Sequence, residues 1–177
     1  MQALIVYESM YGNTHEIAEA IAEGIQEAHP DASVRCLTAV AADADQTRAA
    51  DLLVVGGPTH MRGMSSGMSR RMAVSAEARK EGHDEQAQEA ADTAEGPGLR
   101  RWFHDLSDTE PGTYAAAFDT RLDGRLAGGA AEGIAQRLSH HHYDVMVEPE
   151  GFIVEDADGP LRTGEIERAK AWGSGLV

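Results

Sequence analysis

The sequence predicts an α/β fold in which a mostly parallel sheet is covered by helices on both faces. Three observations carry that expectation. Short apolar runs recur along the chain, most of them end in Gly, Pro, Asn or Asp, and the segments between them place apolar residues at helical spacing. Alternating strand and helix implies right-handed crossovers and a doubly wound, three-layer sandwich. A length of 177 residues suits one well-buried domain over 1–177.

Leu4-Ile5-Val6-Tyr7 is the first strand, apolar and followed at once by a Gly/Asn/Thr turn. From Thr14 to Ala28, Ile17, Ala18, Ile21, Ala22 and Ile25 form one buried helical face. Glu16, Glu19, Glu23 and Glu27 supply the others, and Pro30 stops the helix. Ser33 to Leu37 alternates as the second strand, and Thr38 to Ala50 reads as a loop with a short helix. Leu52-Leu53-Val54-Val55 is nearly continuous in apolar character, as expected of a strand buried on both faces, and Gly56-Gly57-Pro58 closes it. Tyr114 to Phe118 is the fourth strand, ending at Asp119-Thr120. Val145-Met146-Val147 and Phe152-Ile153-Val154 are two pieces of a fifth, interrupted at Pro149-Glu150-Gly151. Helices are expected at about 127–139 and 164–173, and Leu99, Trp102, Phe103 and Leu106 also have helical spacing. Residues 76–98 are polar and read as the solvated end of a helix followed by a mobile loop.

The formal charge of −15 disfavours nucleic acid and anionic membranes as partners, and favours encounters with basic proteins. Acidity also serves solubility alone. No apolar run approaches the roughly 20 residues that span a bilayer, and the first residues lack the basic region of a secretory leader. The single cysteine, Cys36, forms no internal disulfide, so a reducing cytoplasm is the expected location. In its strand it reads as a buried, inert thiol.

In a doubly wound sheet, ligands bind beyond the carboxyl ends of the strands, at the switch in strand order. The most unusual residues fall on those loops: Ser9-Met10-Tyr11-Gly12-Asn13-Thr14, Pro58-Thr59-His60-Met61-Arg62-Gly63-Met64-Ser65, and Asp119-Thr120-Arg121. The first loop lies between a buried strand and a helix start, where backbone N–H groups lack partners and the helix dipole favours an anion. Ser9 and Thr14 offer hydroxyls, Asn13 an amide, and Gly12 a turn that a Cβ would obstruct. Ordinary helix capping uses the same residue types. No Lys or Arg is present, so a phosphate here would be held by neutral donors.

Strand, Ser-x-x-Gly-Asn-Thr and amphipathic helix together resemble the phosphate loop of the flavodoxin family. The resemblance continues through Gly56-Gly57-Pro58-Thr59-His60, Ala117-Phe118-Asp119-Thr120-Arg121, Gly159-Pro160-Leu161 and Gly164-Glu165-Ile166-Glu167-Arg168-Ala169. It implies a flavodoxin-like five-stranded parallel sheet of order 2-1-3-4-5 with flavin mononucleotide (FMN) at the switch point. It also implies a one-electron carrier between redox proteins, whose partners would carry basic docking surfaces. Position by position, Ser9, Met10, Tyr11, Gly12, Asn13 and Thr14 match the phosphate loop. Pro58, Thr59, His60, Met61 and Gly63 occupy one ring-flanking loop, and Phe118, Asp119, Thr120 and Arg121 the other. The best-known members place a Trp and a Tyr in those flanking loops, and this sequence has neither. Each stacking contact contributes on the order of 0.5–1.5 kcal/mol, so their loss weakens binding by roughly one to two decades. Acidic surroundings and a dry site would also disfavour an anionic reduced flavin.

Other residues support competing readings. His140-His141-His142 suits a solvated helix C-terminus better than a metal site, because no suitably spaced Cys or carboxylate completes a ligand set. His15 is either a phosphate neighbour or a surface residue. Arg62, Arg70 and Arg71 are helix-surface residues or a receptor for an anion. Met61, Met64, Met68 and Met72 form a core stripe or an adaptable contact surface. Two further functions compete with electron transfer: an FMN-dependent NAD(P)H/quinone-type oxidoreductase, and a flavin-free binding or regulatory module on the same fold.

Overall fold

The structure, a computed structural model, describes residues 1–60, 63–64, 98–110, 112–124 and 129–176. Along the chain run β1 (Gln2–Tyr7), α1 (Asn13–Ala28), β2 (Ser33–Thr38), α2 (Ala44–Arg48), β3 (Leu52–His60) and β4 (Gly63–Met64). They are followed by α3 (Leu99–Asp105), β5 (Tyr114–Leu122), α4 (Ala130–His140), β6 (Asp144–Val145), β7 (Glu150–Val154) and α5 (Glu165–Ser174). The polar stretch at 76–97, together with Met61, Arg62, Met68, Arg70, Arg71 and Met72, lies outside the described residues.

The sheet has the order β2-β1-β3-β5-β6, and β7 also pairs with β5. All these pairings are parallel. This is the expected 2-1-3-4-5 arrangement with its fifth strand in two pieces. The interruption falls at 146–149, and Glu150 and Gly151, expected to lie in the break, already belong to β7. Pro149, which has no N–H to give a ladder, sits at the end of that gap. β4 adds a short antiparallel extension, with Thr59 opposite Met64 and His60 opposite Gly63.

Two strands run further than expected. β3 continues through Gly56, Gly57 and Pro58 to His60, and β5 continues past Asp119 to Leu122. The segments Pro58–His60 and Asp119–Arg121, read from sequence as loops, are therefore strand. Asp119 pairs with Gly151, Thr120 with Phe152 and Arg121 with Ile153. Gly56 and Gly57 serve packing rather than termination. A Cβ on Gly56 would lie 2.0 Å from the Phe118 ring, and one on Gly57 would lie 2.6 Å from Leu99.

Alternation along the strands divides the core. Ala3, Ile5, Tyr7, Leu52, Val54, Ala116 and Phe118 face α1 and α5, where Ile17, Ala18, Ile21, Ile25 and Ala169 complete one cluster. Leu4, Val6, Leu53, Val55, Ala115 and Ala117 face the other way, against Leu99, Trp102 and Phe103 of α3 and Ala130, Ile134 and Leu138 of α4. The helix faces read from the sequence are thus the buried ones. Cys36 is half-buried in β2 and donates to the Ala18 carbonyl at 3.6 Å. Burial, with Glu19 nearby, pushes its thiol up to about 12. No described helix is long and apolar enough to cross a membrane.

Candidate functional site

The carboxyl ends of β1, β3, β5 and β7 meet the start of α1 around a cleft of about 190 Å³. Met10, Tyr11, Asn13 and Thr14 line it from the first loop, and Pro58 and Thr59 from β3. Thr120, Arg121 and Leu122 line it from β5, with Val154 and Ala157 beyond β7. Its position is the strand-order switch, where such folds take their ligands.

The first loop delivers a helix start with free donors. Gly12 adopts φ 84°, in the left-handed region, and no described side chain caps the sixteen-residue α1. Among the described residues, the backbone N–H groups of Gly12, Asn13 and Thr14 have no protein acceptor. Ser9 accepts weakly from the His15 N–H at 3.4 Å. Thr14 and Thr120 share a hydrogen bond of 2.8 Å between their hydroxyls. That pair has two hydroxyl hydrogens and uses one, so the other can donate to a ligand. Asn13, expected to offer its amide to a phosphate, donates one amide hydrogen to the Asp158 carbonyl at 3.2 Å. Gly159, at φ 105°, leaves room for it, since a Cβ there would lie 2.6 Å from the Asn13 amide oxygen. His15 stacks on Tyr7 at 5.1 Å and lies 3.5 Å from Glu19.

Side chains expected to flank a ring go several ways. Phe118 is wholly buried and packs edge-on against Phe152 and Trp172, at 6.2 and 6.4 Å, so its ring belongs to the core instead of the cleft. Asp119 is also fully buried. Its Oδ2 accepts from Thr59 Oγ1 at 3.0 Å and from the Ala131 N–H at 2.9 Å. Thr59 Oγ1 in turn accepts from the Ala130 N–H at 2.8 Å. The two side chains together close the N-terminus of α4, satisfying donors that a helix start leaves orphaned. Among the described residues Asp119 Oδ1 accepts no hydrogen bond, and the Arg121 Nε stands 3.6 Å from it. Burial pushes the Asp119 carboxyl up, against the lowering influence of the Ala131 and Ala130 amides, Arg121 and Thr59. Gly63 is half-buried in β4, and the side chain of His60, like all of Met61, lies outside the description.

Several cleft residues had no sequence signal of their own. Leu122 and Val154 reach it through the extended β5–β7 pairing, and Ala157 from the turn that follows β7. Glu8, buried behind the first loop, accepts from the Leu99 N–H at 2.8 Å and anchors the start of α3. Away from the cleft, His141 pairs with Asp108 at 3.0 Å, which occupies the middle of the histidine run.

The donor set fits an anionic group at one end of the cleft: three unpartnered amides, a spare hydroxyl hydrogen and the positive end of α1. At the other end the described side chains offer Arg121 and aliphatic surface, and no Trp.

Comparison with solved structures gives the same fold. A flavodoxin from the domain Archaea is 21% identical, with 99% of this chain and 96% of that chain covered and a TM-score of 0.65. Flavodoxin 1 from Bacillus cereus is 16% identical, with 99% and 97% covered and a TM-score of 0.65. A WrbA-like flavodoxin from Agrobacterium tumefaciens is 21% identical, with 99% and 94% covered and a TM-score of 0.55. No curated protein sequence matches the chain. The family model described as flavodoxin matches residues 5–99, from the first strand through the start of α3. The chain therefore belongs to the flavodoxin family.

Proposed function

We propose that this protein binds FMN in the cleft at the start of α1 and carries electrons between redox partner proteins. Flavodoxin family members bind FMN. The observation that carries the reading for this chain is the run of backbone N–H groups at Gly12, Asn13 and Thr14, which have no protein acceptor among the described residues, with Asn13 and Thr14 lining the cleft itself. The N–H groups and the Thr14/Thr120 hydroxyls hold the phosphate, with Ser9, Met10 and Tyr11 shaping the turn. Pro58, Thr59, Thr120, Arg121 and Leu122 form the walls beside the rest of the cofactor. FMN supplies reversible acceptance of electrons, and the protein supplies binding, orientation and electrostatics. A chain of charge −15 favours partners with basic docking surfaces, encountered in a reducing cytoplasm.

The test is a visible spectrum of the purified protein, followed by titration of apoprotein with FMN and riboflavin. Thr14→Val removes the hydroxyl, and Gly12→Ala disturbs the turn that presents the amides. Each should weaken FMN by about tenfold and leave riboflavin nearly unchanged. Equal losses for the two ligands would move the phosphate elsewhere. A colourless protein that leaves the fluorescence of added flavin unquenched ends the proposal.

A further inference from the structure

With Phe118 in the core, Asp119 turned to α4 and Thr120 bonded to Thr14, Arg121 is the charged side chain that β5 leaves at the cleft. Its place is built by other residues. Buried Asp119 stands 3.6 Å from its Nε. A Cβ on Gly151 would lie 2.3 Å from the guanidinium carbon, and one on Gly129 would lie 2.6 Å from a terminal nitrogen. Two positions thus lack a side chain where the guanidinium rests, and a carboxylate fixes its inner edge. About a third of the Arg121 side chain remains exposed (32%).

We infer that Arg121 is the ring-recognition residue of the cleft, a guanidinium plane held by Asp119 over Gly151 that binds the flat flavin ring and favours its reduced, anionic form. The inference rests on the FMN reading above. With the phosphate on the amides of α1, what remains to be recognised is a flat, polar, aromatic ring. A guanidinium is planar, weakly hydrated and always charged, so it stacks on such rings where a lysine does not. After taking up two electrons and one proton the ring carries a negative charge. Arg121 opposes the repulsion that the acidic chain imposes on that charge.

The experiment compares wild type, Arg121→Gln, Arg121→Lys and Gly151→Ala. It measures apoprotein affinity for FMN and for riboflavin, and the midpoint potential of the bound flavin. Arg121→Gln should weaken both ligands by the same factor, about tenfold, and make the potential more negative. Arg121→Lys should restore the potential and not the affinity, since it returns the charge without the plane. Gly151→Ala keeps the arginine but displaces it, and should weaken both ligands. A loss confined to FMN makes Arg121 a phosphate contact and overturns the inference. So does an unchanged potential in Arg121→Gln. If wild type binds FMN while these variants bind equally well, Arg121 alone is refuted; if wild type binds neither ligand, the FMN reading falls with it.

Discussion

Gly24 in α1 and Gly173 in α5 lie where the two helix backbones cross, and alanine at either position should reverse the usual sign of that substitution. In an exposed helix interior, Gly→Ala stabilises by about 1 kcal/mol. Here a Cβ on Gly24 would stand 2.0 Å from the Lys170 carbonyl oxygen and 2.9 Å from the Ser174 nitrogen. One on Gly173 would stand 2.4 Å from the Ile21 carbonyl oxygen. An ordinary carbon–oxygen contact is about 3.3 Å, and the atoms met are backbone, so no rotamer change relieves the overlap. The helices must part, loosening Ile21, Ile25 and Ala169 and stretching the 3.0 Å bond from Ser174 Oγ to the Gly24 carbonyl. Overpacking costs about 1–3 kcal/mol and the lost hydrogen bond about 1 kcal/mol. Set against the helix gain, Gly24→Ala should destabilise by about 2 kcal/mol, lowering Tm by roughly 4–8 °C in a domain of this size. Urea unfolding followed by circular dichroism measures it. The double variant should lose less than the sum of the singles, because helices already parted leave room for the second methyl. A Gly24→Ala protein as stable as wild type, or strict additivity, would refute this account of the crossing.

Two further outcomes follow from buried groups. The Cys36 thiol, pushed up to about 12 by burial, should resist a thiol reagent at pH 8 in the native protein and react at once in denaturant. Because its folded value is raised, the stability it contributes is present below its ordinary value and is lost as the pH rises through about 12. Fast native labelling would show that β2 opens or that the thiol is less buried. Thr59→Val removes the donor to Asp119 and leaves the Ala130 N–H without its acceptor, at a cost of about 1–3 kcal/mol. It also removes one of the contacts that hold the Asp119 carboxyl down, so the folded state gains more from a proton than before. The deficit of Thr59→Val should therefore shrink as the pH falls toward the carboxylate range; a deficit independent of pH between 7.5 and 5 would contradict this linkage.

The legible part of the fold was local. Ile17, Ile21 and Ile25 marked the buried face of α1, Pro30 marked its end, and the runs at Leu4 and Leu52 marked strands, because each depends on neighbours within a turn or two. The ends of β3 and β5 were not legible. Pro58 reads as a terminator, yet the β1–β3 ladder stops at Tyr7 and Gly56. Beyond that point β3 is an edge on its β1 side, where proline is tolerated. Asp119 reads as a loop residue, and its carboxylate is tolerated inside a strand because Thr59 and Ala131, from two other elements, donate to it. The candidate site divides the same way. The Ser9–Thr14 loop declares itself in six consecutive residues. The place of Arg121 depends on Asp119, Gly129 and Gly151, which only the fold brings together.

The treatment of helix starts gives the cleft its meaning. α2 is closed by a reciprocal capping box between Asp43 and Gln46. α3 is anchored by Glu8, and α4 by Thr59 and Asp119. α5, like α1, begins at a left-handed glycine, but the N–H of its first residue, Glu165, donates to the Arg162 carbonyl at 3.1 Å. In α1 the first-turn carboxylate, Glu16, is exposed, while Asn13 and Thr14 are buried at the cleft. Leaving buried donors without acceptors costs free energy that the chain avoids at α2, α3 and α4. An arrangement that satisfies those helices from within and leaves α1 open toward a cleft is the one that the proposed phosphate of FMN would complete.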